Sequence, residues 1–201
     1  MQTLLQNRRI EPNAMRYAPT HKEEARSRLV QATGALAKQK GFAASGVDSL
    51  MAAAGLTSGA FYAHFRSKNE LLKAIVENEL QRSAKRFAAP TREQALEVLR
   101  RYLSAAHVEH PGSGCALPAL ASEIARADAA TRQVFAQGIG ELQARLRDLT
   151  GDDATAWALM AQLAGAVLVA RALPPGPERE ALLASALQQA ERMLGAAPGP
   201  S

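Results

Sequence analysis

From Ala154 to Ala170 the chain runs for seventeen residues without a charged side chain, and Arg171 is the first ion after it. A helix-length run of Ala, Leu, Met, Val and Gly with so little polar stripe must be covered on nearly all sides by other helices. Gly151-Asp152-Asp153 opens it and Pro174-Pro175-Gly176-Pro177 stops it. Such a segment demands a multi-helix architecture. Composition agrees: 47% of residues are hydrophobic but only 4% aromatic, so cores must be assembled from many thin contacts between close helices. The fold class expected is all-α.

No apolar run approaches the length that spans a bilayer, and Met1 to Ile10 carry no cleavable-signal pattern. The single cysteine, Cys115, excludes an intrachain disulfide and points to a reducing cytoplasm.

Helical periodicity divides the chain into about nine helices, with no strand pattern and no internal repeat. The first runs from Lys22 to Lys40 on Ala25, Leu29, Ala32 and Leu36, and Gly41 stops it. A second, short helix carries Val47, Leu50, Met51 and Ala54. A third begins at Thr57 or Ser58 with Phe61 and Phe65 on its inner face. Ser67-Lys68-Asn69-Glu70 reads as a capping box opening a long fourth helix to about Phe87. The fifth spans Thr91 to about Glu109, and His110-Pro-Gly-Ser-Gly114 is a loop by composition. Pro118–Arg126, Ala129–Thr150, Ala154–Leu173 and Glu178–Leu194 complete the set. Residues 1–21 and 196–201 are expected to be a disordered extension and tail, 22–67 a three-helix unit, and 68–195 a larger helical unit.

Charge is uneven along this frame. Through Arg86 there are fourteen Lys and Arg against seven Asp and Glu, a balance of +7; from Phe87 on, ten against twelve give −2. The basic half is the one suited to a polyanion, because neutralising phosphates releases condensed counterions. Within it runs GFAASGVDSLMAAAGLTSGAFYAHFRSKNE, residues 41–70. Two short amphipathic helices are separated by Gly55-Leu56-Thr57, where Gly permits a sharp turn and Leu56 is expected to plug the angle. The outward positions Ser58, Gly59, Ala60 and Ala63 are small or polar, which lets a helix sink into a major groove. Lys68 falls in the first turn of helix four, where free N–H groups already favour a phosphate.

This stretch resembles the DNA-binding domain of the TetR (tetracycline-repressor-like) family. The likeness covers roughly Ala25 to Glu77. Its most specific pieces are Ala54-Gly55-Leu56, Phe61-Tyr62-Ala63-His64-Phe65 and Ser67-Lys68. From Pro90 on it extends only to the architecture and to a Gly114-Cys115 loop seen in some branches. The resemblance implies that Val47 and Asp48 lie at the groove edge and that Thr57, Ser58, Gly59 and Ala60 face bases. Tyr62, His64 and Lys68 would hold phosphates, and Arg26 would touch backbone. Phosphate contacts position such a helix and base contacts choose the sequence. Two positions depart from the pattern. Gly46 stands where Thr or Ser usually caps helix two, a cap weaker by about 1 kcal/mol at most. Asp48 is acidic, and accepts from a cytosine amino group or avoids DNA.

Half-sites one DNA turn apart require a two-fold dimer. Its surface is expected on the eighth and last helices, the most apolar ones, through Ala161, Gly165, Ala166, Leu168, Leu183, Leu187 and Ala190 as a four-helix bundle. The resemblance implies a ligand pocket among helices five to eight. Candidate lining residues are Leu103, His107, Cys115, Leu120, Phe135, Ile139, Trp157 and Met160, an inventory suited to a hydrophobic effector. The expected function is a homodimeric repressor of palindromic double-stranded operator DNA, released by a small effector; an activator or an effector-free architectural binder are the alternatives.

Cys115 in a Gly-rich loop near His107 and His110 raises a second idea, thiol sensing, since a cationic imidazole lowers a thiol pKa. His107, Glu109 and His110 lack the spacing of a metal set, and no metal or other cofactor is expected. No catalytic constellation is present, and Glu123 and Asp128 read as ordinary helix surface.

Overall fold

The structure, a computed structural model, describes residues 19–88 and 91–195, and among these it is helical with no strand. The expected disordered segments lie outside the described residues, except that helix α1 (Pro19–Lys40) begins three residues before Lys22. Then follow α2 (Val47–Ala53), α3 (Ser58–Phe61), α4 (Lys68–Arg86), α5 (Arg92–Tyr102), α6 (Ala105–Glu109), a 3-10 turn (Pro111–Ser113), α7 (Leu117–Ile124), α8 (Ala129–Thr150), α9 (Asp153–Ala172) and α10 (Pro177–Gly195).

Among the described residues the count is ten α-helices rather than about nine, because the fifth expected helix breaks at Ser104. The Ser104 hydroxyl donates to the Arg101 carbonyl at 2.8 Å and accepts from the His107 N–H at 3.2 Å. One side chain thus closes α5 and opens α6 with the backbone extended at ψ 155°. Serine competes for backbone partners in this way, and apolar periodicity is blind to it.

One continuous core joins the three N-terminal helices to the rest. Leu29, Leu50, Met51, Phe61 and Phe65 are almost fully enclosed, and Leu71 and Ile75 of α4 extend the same core. α4 packs along α8, α8 along α9, and α9 along α10. α9 is long and apolar enough to cross a membrane by length and composition alone, with mean hydropathy 1.4; this corrects the expectation that no run approaches that length. Uncharged Thr155 and Gln162 interrupt the apolar residues without lowering the average much. Within the chain α9 is buried along one face only, that of Ala156, Leu159, Leu163 and Val167. Trp157, Leu168 and Val169 remain 49%, 55% and 49% exposed.

Candidate nucleic-acid interface

The turn between α2 and α3 depends on Gly55, whose φ of +70° favours a residue without Cβ. The next N–H, of Leu56, returns to the Met51 carbonyl at 2.9 Å and ties the turn to α2. Leu56 does not plug the angle: it is 38% exposed, and the space is filled by Leu50, Met51 and Phe61. Gly46 heads α2 with no side-chain cap.

Phe61 and Phe65 lie with ring centroids 6.0 Å apart in the core, and Tyr62 stands edge-on to Phe61 at 5.2 Å. Tyr62 is therefore held at its base yet 75% exposed. Thr57, Gly59 and Ala63 are exposed around it, with Ser58, Ala60 and His64 half-buried. Ser58 Oγ donates to the Asp48 carboxylate, which joins the starts of α2 and α3. Val47, beside Asp48, is half-buried. Lys68 Nζ lies 4.8 Å over the Phe42 ring and donates to the Ala43 carbonyl at 3.2 Å. The Arg26 guanidinium lies 4.8 Å over Phe65. The Ser67 cap forms as expected, accepting from the Glu70 N–H at 3.1 Å. The Glu70 carboxylate, however, reaches back one residue further, to the Arg66 N–H at 2.7 Å.

Polar contacts of Lys38 and Glu123 tie this unit to the C-terminal helices, and sequence reasoning missed them. Lys38 Nζ, on α1, bonds Glu79 of α4 at 2.7 Å and the Gly114 carbonyl at 2.9 Å, with Lys38 and Glu79 only 5% and 2% exposed. Burial pulls the Lys38 pKa down, and the bond to Glu79 opposes that pull. Glu123 is not ordinary helix surface: its two oxygens accept from the Phe42 and Ala43 N–H groups at 2.9 and 2.7 Å, bracing the α1–α2 turn from α7. Asp128 caps α8 by accepting from the Thr131 N–H at 2.7 Å, which holds its carboxyl below the usual carboxylate range.

The residues expected around a ligand separate. Leu103, Cys115, Leu120, Ile139 and Met160 are packed in the core, His107 and Phe135 are half-buried, and Trp157 faces outward on α9. His107 lines a cleft of about 480 Å³ with Arg86, Phe87, Val98, Arg101 and Tyr102. Its Nδ1–H donates to the Tyr102 carbonyl at 2.5 Å, and its Nε2 accepts from the Cys115 backbone N–H at 3.0 Å. Burial, reinforced by nearby Arg171, Arg86 and Lys38, lowers the His107 pKa. The motive for thiol sensing is thereby removed. Cys115 is 2% exposed with its sulfur 3.7 Å from Ser83 Oγ, and His107 is a neutral acceptor for its backbone rather than a cation at its thiol. His110 turns instead to the Ala106 carbonyl at 2.9 Å.

Among the expected interface residues, Ala161 and Leu168 are exposed and Gly165 and Leu187 half-buried. Ala166, Leu183 and Ala190 are buried within the chain, at 7%, 7% and 0% exposure.

Residues 29–75 match the family model described as bacterial regulatory proteins, tetR family. No curated protein matches the sequence. The chain is similar to a solved TetR transcriptional regulator from Chloroflexus aurantiacus J-10-fl, at TM-score 0.70 and 25% identity, covering 86% of this chain and 95% of that one. NemR of E. coli in its reduced form is similar at TM-score 0.69 and 22% identity, over 84% and 96% of the two chains. The regulatory protein TetR from Rhodobacter sphaeroides reaches 0.68 at 23%, over 84% and 98%. The last two show likeness of fold alone. The helix-turn-helix of residues 29–75 therefore matches the tetR family of bacterial regulatory proteins, and the chain as a whole shares the all-helical fold of the solved TetR transcriptional regulator.

Proposed function

We propose that the chain is a homodimeric repressor that binds a palindromic operator through α3 and leaves it when a small molecule binds the C-terminal helices. The observation that carries this reading is the surface of α3, where Tyr62 stands three-quarters exposed amid Thr57, Ser58, Gly59 and Ala60, with no bulky side chain to keep the helix out of a groove. Tyr62, His64 and Lys68 serve phosphates in this reading, Arg26 the flanking backbone, and Val47 with Asp48 the groove edge. Because Ser58 gives its proton to Asp48, its oxygen is offered to a base as an acceptor, which suits the amino groups of cytosine or adenine. A second copy covers the Trp157-Ala161-Leu168-Val169 face of α9, with Gly165 allowing close approach and Leu187 of α10 at the margin. The repressor acts in the cytoplasm and carries no chemistry of its own.

Selection of bound sequences from random DNA tests the reading. The expected outcome is a palindrome with half-sites about one turn apart, bound at least tenfold more weakly after Tyr62→Ala. A sequence-independent footprint, or a protein that sediments as a monomer, refutes it.

A further inference from the structure

Three arginines of the C-terminal half meet acids: Arg100 lies 3.3 Å from Glu191, Arg147 3.9 Å from Asp153, and Arg179 3.6 Å from Glu109. The arginines around the cleft between the ends of α4 and α5 and the start of α6 are different. Arg86, in the last turn of α4, gives one N–H to the neutral Ser113 carbonyl at 3.1 Å. Arg101, in the last turn of α5, has no ion-pair partner among the described residues. Arg171 does not line this cleft; from α9 it reaches the His107 carbonyl with Nη2 at 3.4 Å. Among the described residues no carboxylate lines the cleft. A recess flanked by two like charges focuses potential and attracts an ion of opposite sign.

The floor of the same cleft is apolar. Phe87 and Tyr102 are 4% and 8% exposed with centroids 6.0 Å apart, and Tyr102 lies 4.6 Å from the His107 ring. Val98 completes it. A volume of about 480 Å³ lies within the range of small-molecule sites. An apolar floor under two unpaired guanidinium groups matches a molecule with an aryl or alkyl body and one carboxylate, since guanidinium binds carboxylate in a two-pronged geometry.

We propose that this cleft is a binding site for small amphipathic carboxylates, with Arg86 and Arg101 holding the anion and Phe87, Val98 and Tyr102 the apolar body. For its consequence, though not for binding itself, the inference rests on the ligand-released reading above. Occupation would engage Arg86, which now holds Ser113, the neighbour of the Gly114 carbonyl bound by Lys38 of α1.

Calorimetric titration of the full chain with decanoate and 2-naphthoate tests the site, with decanol lacking the charge and acetate lacking the body. Both carboxylates bind, and decanol and acetate bind at least tenfold more weakly. The double variant Arg86→Gln/Arg101→Gln weakens the carboxylates at least tenfold and leaves decanol unchanged; Val98→Trp, which fills the floor, abolishes all binding while far-UV helicity is retained. Decanol binding as well as decanoate, a double variant within twofold of the parent, or no heat from either carboxylate overturns the proposal. Binding that leaves operator affinity unchanged supports the site and refutes the release mechanism. Operator release by an uncharged compound, with no carboxylate bound, does the reverse.

Discussion

Replacing Lys38 by Met removes the cation from an enclosed pair while leaving Glu79, 2% exposed, with its charge in place. Loss of one partner of a buried ion pair costs about 3–5 kcal/mol, because the remaining charge keeps its desolvation without compensation. Two structural details set the value within that range. Arg82 stands 3.5 Å from the other Glu79 oxygen and offsets part of the loss. The Gly114 carbonyl loses its 2.9 Å donor, which adds about 1 kcal/mol. The expected cost of Lys38→Met is therefore about 3–4 kcal/mol, a fall in Tm of roughly 6–16 °C for a chain of this size. The double variant Lys38→Met/Glu79→Leu removes both desolvation penalties, and is expected to recover all but about 1–2 kcal/mol. Urea denaturation of parent, both single variants and the double, at constant m-value, measures the cycle. A single variant within about 1 kcal/mol of the parent, or a double no more stable than Lys38→Met, refutes a dry pair between α1 and α4.

Gly138→Ala would place a Cβ 2.7 Å from the Leu80 side chain where α8 crosses α4, and should destabilise by about 1–3 kcal/mol in thermal denaturation. Glu123→Ala strands the Phe42 and Ala43 N–H groups; because the site is half-exposed, the cost by urea denaturation is about 1–2 kcal/mol, while Glu141→Ala on exposed α8 changes nothing measurable. His107 carries a pH dependence. Its folded pKa lies below the ordinary 6.5, so the unfolded chain binds the proton first, and stability is full above about pH 6.5 and declines as pH falls toward the folded value. Protonating Nε2 also forfeits its bond to the Cys115 N–H. The difference in Tm between pH 7 and pH 5 should shrink in His107→Gln, and an unchanged difference refutes the assignment.

Local signals in the chain were legible because they act within a few residues. Gly55, the Ser67 cap, and Phe61 with Phe65 four apart each specify a turn, a helix start or an inner face without distant partners. The Lys38–Glu79 bond spans 41 positions and the Glu123 brace 81, and nothing in either neighbourhood distinguishes these residues from solvated surface charge. Helices apolar nearly all round posed the opposite difficulty. Periodicity says that such a helix is covered but not by what, and so does not separate Leu168 from Leu183 and Ala190, which are buried within their own chain. Ligand lining poses the same difficulty. Leu103, Cys115 and Leu120 are core, whereas the open cleft is marked by Arg86 and Arg101, ordinary helix-end cations whose lack of acids appears only in three dimensions.

The lone tryptophan of the chain, at position 157, stands half in water on the outer side of α9. Indole emission moves to shorter wavelength when its surroundings lose water, so the molecule carries an internal dye on the surface where a second copy would dock. Serial dilution followed in a fluorimeter would then read self-association directly, with no label attached and no other indole to blur the signal.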